Sequence, residues 1–305
     1  MLSLRVTQGM LHSQMLRNIN NNVGRLDKYQ EMQSTGRKIN KPSDDAVGIT
    51  YALRYRSEIS MNEQYQKNLD MAKSLVEHSD TTLGQIGDVL LRVKELTVQG
   101  VNGTNLGSPM KAIATELEQL YQQMVSLGND QLNGRYIFNG QFTDKLPYPD
   151  GVLPQDAQSD PQLINYKFAA GVTIPINITG NEVFGPPVGS AGDQGDNMFA
   201  VIKGLADAFN SDDTATASSL LVKLEQRFQK VLDVRSDVGA RANRIDLIDN
   251  RLKDLDLNLN ELSGKTEDAD MAEVIMNLKM AENVYQASLS TGAKVIQPSL
   301  VDFLR

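Results

Sequence analysis

The chain has 305 residues, of which 40% are hydrophobic, 6% are aromatic and none is Trp or Cys. This length exceeds one ordinary globular core, so two or three domains are expected. The absence of Cys excludes disulfides, thiolate metal sites and Cys nucleophiles. No apolar run is long enough to span a membrane, and the first fifteen residues lack the apolar core of a cleavable signal. Export, if it occurs, is therefore expected to use another route.

The charge is unevenly distributed along the chain. Through Pro42 there are seven Lys or Arg residues against two acidic ones, a net of +5, so the remainder of this −8 chain carries −13. A basic arm can bind nucleic acid. Here Tyr29 alone is available to stack on bases, and the charges lie along a helix that also carries an apolar stripe. A solvated helix face is the better interpretation, and we expect no nucleic-acid partner.

The first segment has helical periodicity. Gly36 and Pro42 are expected to end this helix, and Ser43 or Asp44 can cap the next one. Asn residues, which are poor helix formers, surround the stripe. The stripe steps by three and four residues and consists of Leu16, Ile19, Val23 and Leu26.

Two further helices are predicted before the middle of the chain. The first runs to about Gln99, and a loop rich in Gly and Asn follows over residues 100–107. The second has Ser108 at its N-cap and Pro109 at its first position, and it ends before Gly128.

The middle of the chain changes its period. Apolar residues alternate with polar ones over residues 164–168 and 172–178, which predicts a hairpin that turns at Ala170–Gly171. Residues 136–138 and 182–184 are predicted as short additional strands. Many Pro and Gly residues between about 141 and 196 favour a small β-rich insertion with loops.

Helix resumes near Asn197, and the strongest periodicity in the chain follows. It covers 32 residues, about 48 Å at 1.5 Å per residue. The residues Ser263–Thr266 then break the phase, which predicts a hinge there. The members of the stripe are Val231, Val234, Val238, Arg241, Ile245, Ile248, Leu252, Leu255, Leu259 and Leu262.

The last segment carries a coiled-coil seam that includes Ser288 and Gly292, two residues expected to set register and close approach. Isolated helices are marginal in water, so the two end segments should order only against each other and against neighbouring subunits. The candidate assembly interface consists of Leu16, Ile19, Val23, Leu26, Val274, Leu278, Ala281, Tyr285, Leu289, Val295, Leu300 and Phe303.

The predicted fold is mainly α: a long antiparallel helical coiled-coil bundle built from both chain termini, with a small β-rich domain inserted in the middle. The expected domains are an N-terminal assembly helix (1–40), the first half of a helical body (41–140), the β-rich insertion (141–196), the second half of the body (197–264) and a C-terminal assembly helix (265–305).

The polar residues do not form a catalytic constellation. His12 and His78 lie in different helices without metal-ligand spacing, and the carboxylates of 44–45 and 267–270 follow helix breaks, where capping explains them. The Gly-rich segment 185–192 lacks the Lys of a phosphate-binding loop. We therefore expect no enzyme activity and no catalytic, cofactor or metal site.

Both ends of the chain carry distinctive motifs. On the N-terminal side these are 34–40 with 44–48, and 92–99 with 102–104; on the C-terminal side they are 235–244, 266–270 and 300–305. They resemble the N-terminal and C-terminal signatures of the flagellin superfamily of bacterial flagellar axial proteins. The resemblance covers about two-thirds of the chain and implies a secreted, self-assembling structural protein that is exported through the flagellar channel. The motif residues are Gly36, Asn40, Asp44, Asp45, Arg235, Asn243, Arg244, Glu267 and Asp268.

Two features point to the hook-filament junction branch of that superfamily. The segment 133–140, Asn-Gly-Arg-Tyr-Ile-Phe-Asn-Gly, is similar to one in junction proteins that filament flagellins usually lack, and the strand 172–178 running into 179–184 resembles their β domain. Residues 41–43 depart from the flagellin pattern, but this difference says little about which branch the chain belongs to. A short filament flagellin is the alternative, and an intracellular coiled-coil scaffold is a more remote one.

The resemblance also implies the partners. These are further copies of the chain, the other junction hook-associated protein, flagellin and a small export chaperone, with no nucleic acid and no membrane insertion. The expected location is the extracellular flagellum.

Overall fold

The computed structural model describes residues 8–102 and 108–296, without the side chains of residues 8, 108, 295 and 296. Within these ranges the fold is mainly α with a few short strands in the middle, as the sequence predicts. The elements are α1 (Gln8–Thr35), α2 (Ala46–Asn102), α3 (Ser108–Gly128), β1 (Gln131–Leu132), β2 (Arg135–Tyr136), β3 (Asn165–Ala169), β4 (Val172–Pro175), α4 (Gly180–Phe184), α5 (Met198–Asn210), α6 (Thr214–Glu267) and α7 (Met271–Ile296).

The chain divides into two compact units. The first, the terminal unit, consists of residues 1–61 and 255–305, and the second, the central unit, of residues 62–254. The long helices α2 and α6 each contribute residues to both units. The division of the sequence into five domains remains a prediction.

The core of the central unit is built on heptad repeats, because side chains that repeat every seven residues stay on one face of a helix that packs on its neighbour. In α2 the members include Leu69, Val76, Leu83 and Leu90. In α6 they are Ala217, Leu224, Val231, Val238, Ile245 and Leu252.

In the terminal unit, only some of the predicted stripe positions of α6 are buried. Leu259 is buried, but Leu255 and Leu262 are 45% and 38% exposed. The sequence placed all three on one face.

The segment 133–140 forms the hairpin β1–β2 and then enters the core. Asn133 and Gly134 have φ values of 53° and 76°, the left-handed pair that a tight two-residue hairpin turn requires. Phe138 is fully buried, and its ring packs edge-on against Phe184 at 5.3 Å between centroids. Phe184 stacks in turn on Phe199 of α5. This segment thus anchors the β-rich region to the helices.

The predicted hairpin around Ala170–Gly171 is present, since β3 pairs antiparallel with β4. The strand β4 ends at Pro175, which cannot donate a ladder hydrogen bond. The strand predicted over 182–184 is wrong, because these residues belong to α4. The backbone N–H of Thr179 donates to Glu182 Oε2 at 3.1 Å, half of a capping box that starts a helix.

The hinge predicted at Ser263–Thr266 is also wrong, because α6 continues to Glu267. A single Gly in a helix costs only about 1 kcal/mol relative to Ala, which neighbouring contacts can offset. Thr266 Oγ1 donates to the carbonyl of Leu262, and Lys265 pairs with Glu261 one turn earlier. The helical break lies at residues 268–270. Similarly, α2 extends beyond Gln99 to Asn102.

A buried ion pair joins α6 to the residues that precede α5. Arg227 and Asp196 are both almost completely buried, and Arg227 Nη2 lies 2.8 Å from Asp196 Oδ2. Lys230 Nζ lies 2.9 Å from the same oxygen. Burial alone would raise the pKa of Asp196, but the hydrogen bond from Lys230 and the charge of Arg227 outweigh it and lower that pKa below its ordinary value.

We predict that Asp196→Asn lowers the free energy of unfolding by about 3–5 kcal/mol at neutral pH, because Arg227 would remain buried without a countercharge. Since the pKa of Asp196 is lowered in the folded state, its stabilising effect is present above the unfolded value near 3.9 and is lost as the pH falls through the folded value. Urea unfolding at pH 7 and pH 3 should therefore show a smaller difference between variant and wild type at pH 3. The exposed Asp233→Asn is the control; equal effects of the two substitutions would contradict the prediction.

Candidate functional site at the paired chain ends

The helix α1 packs against α7, so the two ends of the described chain lie together. They run antiparallel, since Met15 lies near Gly292, Asn22 bonds to Ser288, and Tyr29 lines a cavity with Asn277. A Cβ atom at position 292 would collide with the side chain of Met15 and lie 3.8 Å from Ile19 Cδ1. Gly292 therefore permits the close approach of the two helices, as its place in the seam predicts.

The face of α7 that contacts α1 follows the predicted seam. Val274 and Leu278 are buried, and Ala281, Tyr285 and Ser288 are partly buried. Leu289, predicted as an interface residue, is 44% exposed and lies off this face. The side chain of Val295 and all of Leu300 and Phe303 lie outside the described residues.

The assembly interface on α1 stays a prediction, and the face of α1 that contacts α7 shares two of its four residues. Ile19 and Leu26 are partly buried, whereas Leu16 and Val23 are 46% and 41% exposed. Their places in the seam are taken by the preceding residues, Met15 and Asn22. Residues 15, 19, 22, 26 and 29 are spaced by four and three, so the sequence indicates this face once a polar residue, Asn22, is accepted in the seam.

A polar contact crosses the seam. Asn22 Nδ2 donates to Ser288 Oγ at 2.7 Å, and Ser288 Oγ donates to the carbonyl of Val284 at 2.7 Å. A polar pair inside a coiled-coil seam fixes the register at some cost in stability, because a shifted register leaves both groups unpaired. This contact specifies which turn of α1 faces which turn of α7.

A second group of contacts, the Glu267 cluster, joins the segment that follows α1 to the segment that precedes α7. It is centred on the carboxylate of Glu267. This carboxylate is 2% exposed at the C-terminus of α6. Arg56 Nε on α2 donates to its two oxygens at 2.9 Å and 3.0 Å, and Arg56 Nη2 also donates to Oε2. Arg37 Nε lies 3.3 Å from the same oxygen. The hydrogen bonds to Glu267 raise the pKa of Arg56 above its ordinary value.

Backbone hydrogen bonds close this Glu267 cluster. The N–H of Lys38 donates to the carbonyl of Glu267 at 2.7 Å, and the N–H of Ala269 donates to the carbonyl of Gly36 at 2.9 Å. Arg37 and Asp268 thereby form an antiparallel bridge. The N-terminal motif segment 34–40 and the C-terminal motif segment 266–270 are thus bonded to each other.

The remaining acidic motif residues organise the turns. Asp44 Oδ2 accepts from the N–H groups of Asn40 and Lys41, at 3.2 Å and 3.0 Å. Burial would raise the pKa of Asp44, but these bonds and Lys28 lower it overall. The cap of α2 is Asp45, whose Oδ1 accepts from residues 47 and 48, and not Ser43 or Asp44. Asp270 caps α7 in the same way.

Three C-terminal motif residues do not join the Glu267 cluster, because they belong to the central unit. Arg235 Nε lies 3.0 Å from Asp80 Oδ1, a contact between α6 and α2. Asn243 and Arg244 are exposed. Arg56 was not singled out from the sequence, since one Arg on a long helix gives no signal that it faces a buried carboxylate.

The described residues contain no group of three or more His, Asp or Glu side chains that could hold a metal ion. His12 is exposed, and His78 Nε2 lies 2.9 Å from Asp130 Oδ2. Across ranges 8–102 and 108–296, no helix combines the length and hydropathy needed to cross a bilayer.

Comparison with known proteins identifies the family of this chain. The profile of the bacterial flagellin N-terminal helical region matches residues 6–143, and that of the C-terminal helical region matches residues 221–304. The chain belongs to the flagellin superfamily. Both regions of the family profiles meet in the pairing of α1 with α7 and in the Glu267 cluster.

Relatives match over nearly their full lengths. Flagellar hook-associated protein 3 of Escherichia coli is 27% identical, over 93% of this chain and 95% of the relative. The protein of the same name from Salmonella typhimurium is 24% identical, over 94% and 96%. A flagellin of Halalkalibacterium halodurans is 25% identical, over 92% of each chain. These relatives are structural proteins of the flagellum.

Solved structures share the fold. FlgL of Bacillus cereus is 22% identical with a TM-score of 0.58, over 69% of this chain and 99% of that one. The flagellar junction protein FlgL of Legionella pneumophila is 16% identical with a TM-score of 0.57, over 73% and 100%. At these identities the likeness shows the fold alone.

We predict that Glu267→Gln weakens the terminal unit by about 1–3 kcal/mol, because the half-exposed Arg56 and Arg37 lose a charged acceptor. Hydrogen exchange of the full chain should show faster exchange of amides in α1 and α7, while amides of the central unit keep their protection. Glu261→Gln, which breaks only an exposed pair with Lys265, is the matched control. Unchanged exchange in Glu267→Gln would show that the cluster does not hold the chain ends.

Proposed function

We propose that this chain is a structural protein that joins the hook of the bacterial flagellum to its filament, and that it assembles through its terminal helices. The match to flagellar hook-associated protein 3 of Escherichia coli over 93% of the chain supports this most. That match reaches into residues 144–220, which lie outside both family profiles. The name of this relative, together with the likeness of the segment 133–140 to junction proteins, favours a junction role over a general flagellin role.

A short filament flagellin is the second candidate. It is favoured by the flagellin of Halalkalibacterium halodurans, which matches over 92% of both chains. The segment 133–140 favours the junction role, because it resembles a segment of junction proteins that filament flagellins usually lack, and its Phe138 is buried in the central unit.

The physical basis of the proposed role lies in the ends of the chain. Two helices with narrow apolar stripes can be exported unfolded and can order afterwards, when burial at about 25 cal/mol per Å² offsets the entropy of ordering. Further copies of the chain would then extend the packing. The central unit would supply contacts that distinguish one neighbour from another, since specificity is a difference between two affinities.

The proposed partners are other copies of this chain, the other junction hook-associated protein on the hook side, flagellin on the filament side and a small export chaperone before assembly. The proposed location is the extracellular flagellum, reached through the flagellar export apparatus. We propose no catalytic activity, cofactor or nucleic-acid partner.

We predict that deletion of the gene in the source bacterium leaves hooks without filaments and releases flagellin into the medium, because flagellin would lack its docking surface. Electron microscopy of sheared flagella and immunoblots of the medium would measure both effects. Re-expression of the wild-type chain should restore filaments.

Filament growth separates the two candidates. Added to filament seeds, the purified chain should form at most a short cap, since its upper surface should bind flagellin better than itself. Long filaments made of this chain alone would overturn the junction role in favour of a flagellin.

A further inference from the structure

The central unit contains a cavity of about 960 Å³, which we call the central cavity. It lies between α2, the hairpin β1–β2 and β3, and every residue that lines it belongs to the range 62–254. Ligand pockets in proteins usually have volumes of about 300–1,000 Å³. The central cavity is therefore large enough for an organic ligand.

Apolar and aromatic side chains form much of the wall of the central cavity. Leu75, Ile137 and Ile176 are buried or partly buried and provide aliphatic surface. Tyr136 and Tyr166 are partly buried as well, and neither hydroxyl has a hydrogen-bond partner among the described residues. The face of an aromatic ring attracts C–H groups because it carries partial negative charge. The wall thus suits a ligand that has both C–H faces and hydrogen-bonding groups.

The formal charges of the central cavity cancel. Of the described residues that line it, Asp70 and Arg135 are the charged ones, and both are exposed. Neither takes part in an ion pair with another described residue. The carboxylate accepts hydrogen bonds and the guanidinium donates them, so together they can bind hydroxyl groups. A phosphate or another anion would meet Asp70 as well as Arg135, and a neutral polar ligand is therefore favoured.

The strand β3 turns the backbone of one residue away from its partner strand. The N–H of Ile176 donates to the carbonyl of Ile164 at 3.0 Å, and Asn165 faces Pro175 in the register of β3 with β4. Residues of an antiparallel pair alternate between those that bond to the partner strand and those that do not. The backbone N–H and C=O of Asn165 therefore point away from β4, to the outer edge of β3.

This outer edge borders the central cavity. The next outward carbonyls on either side, those of Leu163 and Lys167, accept from Gln141 Nε2 at 3.2 Å and from Asn68 Nδ2 on α2 at 3.1 Å. Leu163, Gln141 and Asn165 all line the cavity. The backbone of Asn165 has no partner among the described residues. One free N–H and one free C=O thus remain at the edge, between two carbonyls that are occupied.

A peptide strand fits this edge poorly. Strand addition uses a row of free backbone groups along a sheet edge. Because the carbonyls of Leu163 and Lys167 already accept side-chain hydrogen bonds, one residue of an added strand could pair, at Asn165. The edge therefore favours a small ligand that carries a single amide group at the point of contact.

An N-acetylated amino sugar carries the groups that complement the central cavity. Its acetamido group has an N–H and a C=O, which can pair with the backbone of Asn165 as a residue of a second strand would. Its methyl group and the C–H face of its ring can pack on the aliphatic surface and on Tyr136 or Tyr166. Its hydroxyl groups can bond to the tyrosine hydroxyls, to Asp70 and to Arg135.

We propose that the central cavity binds a glycan that contains N-acetylated amino sugars, with an acetamido group on the backbone of Asn165 and a sugar ring against Tyr136 or Tyr166. The inference does not depend on the proposed junction role. It gives the central unit a binding activity that is separate from assembly.

The first test measures binding of two trisaccharides to the full-length chain. Chitotriose and cellotriose have the same linkage, and they differ in that chitotriose carries an acetamido group where cellotriose carries a hydroxyl. Saturation-transfer NMR should show transfer to the acetyl methyl protons of chitotriose and at least about tenfold weaker binding of cellotriose. No transfer to chitotriose, or equal binding of the two sugars, would overturn the proposal. A parallel titration with soluble peptidoglycan strands shows whether a cell-wall glycan or free chitotriose binds more tightly, and tighter binding of either supports the site.

The second test removes the backbone donor alone. Pro is tolerated at the first residue of a strand and where the N–H faces outward, and Asn165 meets both conditions. Asn165→Pro should weaken chitotriose binding about tenfold, because the acetamido C=O would lose its donor. Asn165→Ala keeps the backbone N–H and should bind like wild type. Equal loss in both variants would contradict the assignment of the backbone of Asn165.

The third test blocks the cavity without changing β3. Ser74 is an exposed residue of α2 that lines the cavity, so the indole of Ser74→Trp should fill part of it and weaken chitotriose binding at least about tenfold. Glu63→Trp places the same ring at an exposed position about 16 Å earlier along α2 and should bind like wild type. Thermal melting should show that both variants are as stable as wild type. If Ser74→Trp binds chitotriose as well as Glu63→Trp does, the proposal is overturned.

Discussion

The pairing of α1 with α7 is the constraint on which the terminal unit depends. Each helix has an apolar stripe only one or two residues wide, too narrow to form a core of its own, and most helical stability in proteins comes from packing such a face. The helix α7 packs against α1, which lies more than 230 residues earlier in the chain. The terminal unit therefore depends on the packing of α1 against α7.

Polar groups fix how the ends meet, while apolar burial provides the attraction. The contact from Asn22 to Ser288 determines the register, and the carboxylate of Glu267 with Arg56 and Arg37 determines where the pair begins. The central unit is organised differently, around heptads in α2 and α6 and the packed rings of the β-rich region. The two units thus depend on different kinds of packing.

Features that depend on local periodicity can be predicted from the sequence. Features that depend on a contact with a distant segment of the chain cannot. The seam of α7 and the hairpin β3–β4 follow from spacing alone, but the α1 face shifted by one residue because Asn22 pairs with Ser288 across the seam. Residues 182–184 are too few to show a period, so a capping Glu182 made them helical. The Glu267 cluster was found only as two motifs, since nothing local shows that Arg56 faces it.

The most direct test of this account is an intramolecular cross-link between the ends of the monomer. The double variant Asn22→Cys with Ser288→Cys places two thiols at residues whose side chains are bonded at 2.7 Å, in a chain without other Cys. Treated with a short bifunctional maleimide at low protein concentration, it should form a closed monomer that migrates faster on a denaturing gel. Cross-linked dimers without any closed monomer would contradict the pairing of α1 with α7 within one chain.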